Sequence, residues 1–143
     1  MKRLDIWLGK TLFHPPIIAL CHATRQSQYA VHRALWFFAA LHATYYAKDD
    51  GWGWAIFMWS WVIISFIGAV AVPDMEAKSH GFFRAVYWIF FLIGVAGFVV
   101  LGDLSNGTVR ALMILFAEYA ATIKTLPPRR TREKKASGKA VKA

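Results

Sequence analysis

Cysteine is nearly absent. Cys21 stands alone, so no disulfide can close within the chain, and thiol content says nothing about its compartment. Acidic residues are also scarce, 8 against 17 lysines and arginines. No glycine-rich nucleotide loop, HExxH, paired CxxC or nucleophile elbow occurs, which leaves catalysis without a visible carrier. No internal repeat suggests an inverted-repeat transporter. Charge and proline are both missing from Trp52 to Val72, WGWAIFMWSWVIISFIGAVAV. A helix rises about 1.5 Å per residue and a bilayer core is roughly 30 Å thick, so this run is long enough to cross.

What is present agrees with that reading. Of 143 residues, 57% are hydrophobic and 16% aromatic, which allows one small domain with no separate soluble catalytic unit. The net charge of +9 gathers at the two ends around an apolar middle, a pattern that favours an anionic lipid surface over nucleic acid. The opening MKRLDIWLGKTLFHPP carries Asp5, Gly9 and Lys10 where a signal peptide needs an unbroken apolar core, so no cleavage is expected.

Four spans are predicted, at about 29–47, 52–72, 83–101 and 109–126. The third is charged only at Arg84, near its start. The fourth carries Arg110, Glu118 and Lys124. The first has His32 and Arg33 at one end and His42 and Thr44 toward the other, and its uninterrupted apolar part is short. Basic residues favour the cytoplasmic side of short loops. Four spans place nearly all of them there, leaving Lys48 and Arg110 at the two outer turns, whereas three spans would divide them between the two sides. The turns AKDDGWG (47–53) and GDLSNG (102–107) are rich in turn formers, and the central loop VPDMEAKSHG is short, so consecutive helices are expected to pack as antiparallel neighbours. The fold class expected is an all-α integral membrane protein, a four-span antiparallel bundle in a cell membrane, as in a bacterial inner membrane, with both termini cytoplasmic.

Residues 1–28 read as an amphipathic interfacial segment, with Leu4, Leu8 and Leu12 at helical spacing, ended by His14, Pro15 and Pro16. Residues 127–143 read as a disordered basic tail. Its Arg129, Arg130, Arg132, Lys134 and Lys135 can each hold anionic lipid with about 1 kcal/mol.

Glu118 is the sharpest single residue, because a carboxylate within a bilayer is costly unless neutralised, paired or wet. It defines a polar intramembrane site for which His42 and Tyr45 are candidate partners; the simpler reading is a structural bond to another helix. The five histidines do not suggest haem or metal. His32 and His42 lie on one predicted span about 15 Å apart, so no cofactor is expected. Tyr45, Tyr46, Trp52 and Trp54 read as an interfacial belt, leaving Trp59, Trp61 and Trp88 as candidates for partner contact. Alanine pairs at four-residue spacing and Gly94 with Gly97 would permit close helix approach.

Three functions follow as expectations. The first is a non-catalytic accessory or scaffold subunit of a membrane complex, which needs only apolar faces for lipid and for other subunits or further copies of itself. The second is a membrane-permeabilising oligomer of the phage-holin type, by likeness of organisation alone. The third is ion or proton transport through Glu118.

Overall fold

A computed structural model describes residues 2–71, 79–102 and 104–123, and among these every element is helical. The five basic residues of the tail, and the end of the fourth predicted span, lie outside the described residues.

The chain opens with α1 (Lys2–Leu8), a π-helical turn over Gly9–Phe13, and α2 (His14–Thr24). Helix therefore continues where His14, Pro15 and Pro16 were expected to end it. The reason is local. The His14 N–H reaches back to the Gly9 carbonyl, a π-type bond, and the two prolines fall in the first turn of α2 where a missing N–H is tolerated. The segment stops instead at Arg25, which adopts a left-handed φ of 55°.

Four longer helices follow: α3 (Gln28–Tyr45), α5 (Trp52–Ala71), α6 (Gly81–Leu101) and α7 (Asn106–Ala120), with the short α4 (Ala47–Asp50) between α3 and α5. Serine side chains set two of the starts. Ser27 accepts the Ala30 N–H at 3.2 Å and Ser105 accepts the Thr108 N–H at 3.3 Å, each satisfying a donor that the first turn leaves free. Gly51 at φ 89° separates α4 from α5, and Gly102 at φ 74° closes α6.

The core lies along α3 and α7. Ala39, Ala40 and Ala43 of α3 and Ala111, Ala117 and Ala120 of α7 are buried, and small side chains let helix axes come close. On this central pair, α5 packs against α3 and α6 against α7. The expectation that all consecutive spans are close neighbours needs correction at α5 and α6. They run antiparallel, yet their backbones do not approach closely. Large rings hold them apart, Trp54 against Phe90 at 6.1 Å and Trp61 against Phe83 at 5.1 Å between centroids.

Among the described residues, only α5 and α6, over Trp52–Val70 and Gly81–Leu101, are long and apolar enough to cross a membrane. Both turn most of their apolar side chains outward, among them Ile64, Ile67, Val70, Ile93, Val99 and Val100. The helix found in the fourth predicted span differs in register and length. It starts at Asn106 behind its serine cap and ends at Ala120, and its 15 residues rise about 22 Å.

In the amino-terminal segment the bundle-facing side chains are not Leu4 and Leu12, which are exposed, but Phe13 and Ile17, with Gly9 beside them. Asp5, Gly9, Phe13, Ile17 and Cys21 recur every four residues, one face of a helix. Phe13 stacks on Tyr119 at 4.4 Å and meets Phe116 and Trp88 edge-on.

Two polar clusters at opposite ends

The first cluster lies where α1, the start of α6 and the end of α7 meet. Arg84 donates from Nε to Asp5 Oδ1 at 3.1 Å and from Nη2 to Oδ2 at 2.7 Å, a two-edged ion pair between α6 and α1. The Tyr119 hydroxyl donates to the same Asp5 at 2.7 Å and accepts the Trp88 indole N–H at 3.0 Å. Burial alone would raise the Asp5 carboxyl. The hydrogen bonds from Arg84 and Tyr119, with the Arg84 charge, more than offset that and hold it below its ordinary value.

Arg84 also donates through Nη1 to Ser79 Oγ. Ser79 passes its own hydroxyl proton toward Glu118 Oε2 at 3.2 Å, and the His80 backbone N–H donates to the same oxygen at 3.0 Å. Glu118 is 1% exposed, and its Oε1 has no hydrogen-bond partner among the described residues. His80 is the residue that precedes α6, so the carboxylate sits at the amino-terminal end of that helix, where the backbone dipole favours negative charge. Neighbouring α3 contributes His32, whose Nδ1 bonds the Ala117 carbonyl oxygen at 2.7 Å.

At the same end, His14 Nε2 pairs with Thr122 Oγ1 at 3.1 Å. Burial, then the Lys10 charge, pushes the His14 imidazole below its ordinary value. Burial likewise pushes the Cys21 thiol up.

The second cluster lies at the other end, around the turns that follow α3 and α6. Arg110 on α7 pairs with Asp50 at the end of α4, and its guanidinium lies 6.0 Å from the Trp54 ring centroid. Arg110 is 5% exposed, and its Nη1 has no partner among the described residues. Beneath it, α6 and α7 cross at Gly94. A Cβ there would stand 1.8 Å from Thr108 Oγ1, so the contact requires glycine, and Thr108 in turn bonds Ser105 Oγ at 2.7 Å. Gly97 has nothing within 4 Å of such a Cβ, so of the two glycines only Gly94 makes a crossing.

The sequence-predicted residues are thus redistributed. Glu118 does not meet His42 or Tyr45. Its partners are Ser79 and His80, while Tyr45 is exposed and His42 packs against Tyr46 near the far end of α3. Of the four belt residues, Tyr45, Trp52 and Trp54 are exposed and Tyr46 is half-buried. The three tryptophans expected to reach a partner are half-buried and pack against their own bundle. Trp59 donates to Thr44 at 2.9 Å and meets Phe37, Trp61 packs on Trp36 and Phe83, and Trp88 is held by Tyr119. Of the three, Trp61 fills the space between α5 and α6, whose backbones stand apart.

Sequence reasoning passed over Asp5, Tyr119 and the Arg110–Asp50 pair. The face made by Asp5, Gly9, Phe13 and Ile17 was the signal available for the first. Among the described residues no three potential metal-ligating side chains converge. No known protein family, curated protein or solved structure matches the chain.

Proposed function

We propose that the chain is a non-catalytic integral membrane protein, a four-span bundle with both termini on the cytoplasmic side, acting as an accessory or scaffold subunit of a membrane complex. One observation carries this reading. The outward faces of α5 and α6 are almost wholly apolar over lengths of 20 and 21 residues, while Asp5, Arg84, Glu118, Arg110 and Asp50 are tied to partners inside the chain. So large an exposed apolar surface calls for lipid or another subunit. The shorter α3 and α7 would cross as the protein-facing inner pair, with the bilayer thinned locally to match the roughly 22 Å of α7.

The test has two stages. Alkaline extraction of membranes should leave the chain in the pellet; recovery in the soluble fraction would end the membrane reading. Purification in mild detergent followed by mass analysis should then yield a heteromeric particle, and a chain migrating only as itself would count against the subunit role.

Transport through Glu118 is a second reading, supported by its buried Oε1 without a partner among the described residues. A Glu118→Gln variant with unchanged ion or proton flux would remove it. A holin-like pore draws less support, because α5 and α6 present apolar faces where an oligomeric channel needs a polar one. Inducible expression in bacteria without depolarisation or growth arrest would dispose of it.

A further inference from the structure

A cavity of about 290 Å³ opens between α5, α6 and α7 at the end where Arg110 pairs with Asp50. Arg110, Asp50 and Thr108 supply its polar side, and Met58, Phe90 and Ile93 its apolar side. A shallower groove over Gly53, Trp54 and Phe57 adjoins it at Asp50. The cavity exists because the α5 and α6 backbones do not close on one another.

Three features define what would fit. Arg110 is among the cavity-lining residues, is 5% exposed, and keeps Nη1 without a partner among the described residues, so a buried charged donor is left over after the Asp50 pair is made. Asp50 stands beside it with a side chain 25% exposed, so the site carries both signs of charge. The apolar wall leads out between α5 and α6 past Phe90 and Ile93, both of which are exposed. An acceptor that meets the spare N–H, a cation that meets Asp50 and an apolar chain that leaves between the helices are together the parts of a phospholipid whose headgroup holds a phosphate and an amine.

We infer that this cavity binds one aminophospholipid of the phosphatidylethanolamine kind, with phosphate on Arg110, ammonium on Asp50, and an acyl chain along the exposed Phe90 and Ile93. An anionic headgroup without an amine would bring its charge toward Asp50 and gain nothing there. The depth is consistent, since Tyr45 and Trp52 of the expected aromatic belt lie at this end. The inference rests on the membrane reading proposed above.

Native mass spectrometry of the delipidated full chain in detergent tests it, with phosphatidylethanolamine, phosphatidylglycerol of the same acyl chains, and inorganic phosphate as probes. One phosphatidylethanolamine should bind about tenfold more tightly than phosphatidylglycerol. Asp50→Asn should bring the two lipids to parity. Arg110→Lys keeps the charge but not the second nitrogen, and should weaken both lipids about tenfold. Because Arg110 is buried, the exposed Ile93→Trp change provides an independent variant; it fills the apolar end and should lower lipid binding with both charges intact. Equal binding of the two lipids by the unaltered chain, a preference that survives Asp50→Asn, or displacement of the lipid by phosphate alone would overturn the site. A chain recovered as a soluble protein would instead overturn the membrane reading, so the two failures are distinct.

Discussion

Asp5 and Arg84 are 79 residues apart and meet on two edges, at 3.1 and 2.7 Å, with the Tyr119 hydroxyl on the same carboxylate. One aspartate thereby joins α1, α6 and α7. The pair is largely shielded, with side chains 30% and 14% exposed.

A double-mutant cycle of Asp5→Asn and Arg84→Gln should give a coupling of about 1 kcal/mol, the range of partly exposed pairs with good geometry. Thermal melts of the purified protein in detergent measure it. Additive effects would show that the pair contributes no coupling to stability.

Acid should release the amino-terminal segment in two stages. His14 is held below its ordinary value, so its unfolded form binds protons first and stability falls as pH drops through about 6.5. Asp5 is also held low, so its contribution is complete above about pH 4 and is lost as pH falls through that value and beyond. Limited proteolysis of residues 2–24 against pH should show both limbs. His14→Gln should remove the upper one and Asp5→Asn the lower. A variant that leaves its own limb unchanged would refute the assignment.

Gly94→Ala should destabilise by roughly 1–3 kcal/mol, because its Cβ would collide with Thr108 and force α6 from α7. Gly97→Ala has open space and should be neutral or stabilise by up to about 1 kcal/mol through helix propensity. Paired melting curves decide, and equal effects at the two positions would contradict the close crossing.

Glu118→Ala leaves the His80 N–H and the Ser79 hydroxyl without their acceptor and should cost roughly 1–3 kcal/mol. Glu118→Gln retains an acceptor oxygen and should cost less. Slower amide exchange at His80 in the Gln variant than in the Ala variant is the local sign; identical exchange would show that the carboxylate does not hold the start of α6.

Much of the secondary structure was legible in the sequence. Long apolar runs mark α5 and α6 nearly to the residue, and turn formers at 47–53 and 102–107 mark two of the breaks. The amino-terminal segment was read less well, because Pro15 and Pro16 look like a stop until the preceding π turn places them in a first helical turn. Glu118 stands out in the sequence as an acid within an apolar run and is buried in the structure, but its partners are Ser79 and His80 and not His42 or Tyr45. The depth of a side chain in a bundle depends on where its helix starts, and Ser105 begins α7 three residues before the predicted span.

By itself the sequence determined where α5 and α6 lie and that, Arg84 apart, they are apolar on nearly every side, since composition settles both. A helix that is apolar on nearly every side offers no preferred face. Only the tertiary structure could decide that α3 and α7 lie inside, that Trp59, Trp61 and Trp88 pack against their own bundle, and that Asp5 meets Arg84 while Asp50 meets Arg110. Those outcomes depend on how closely each pair of axes can approach. That is set by the alanines of α3 and α7 and by the rings between α5 and α6, acting together across the whole chain.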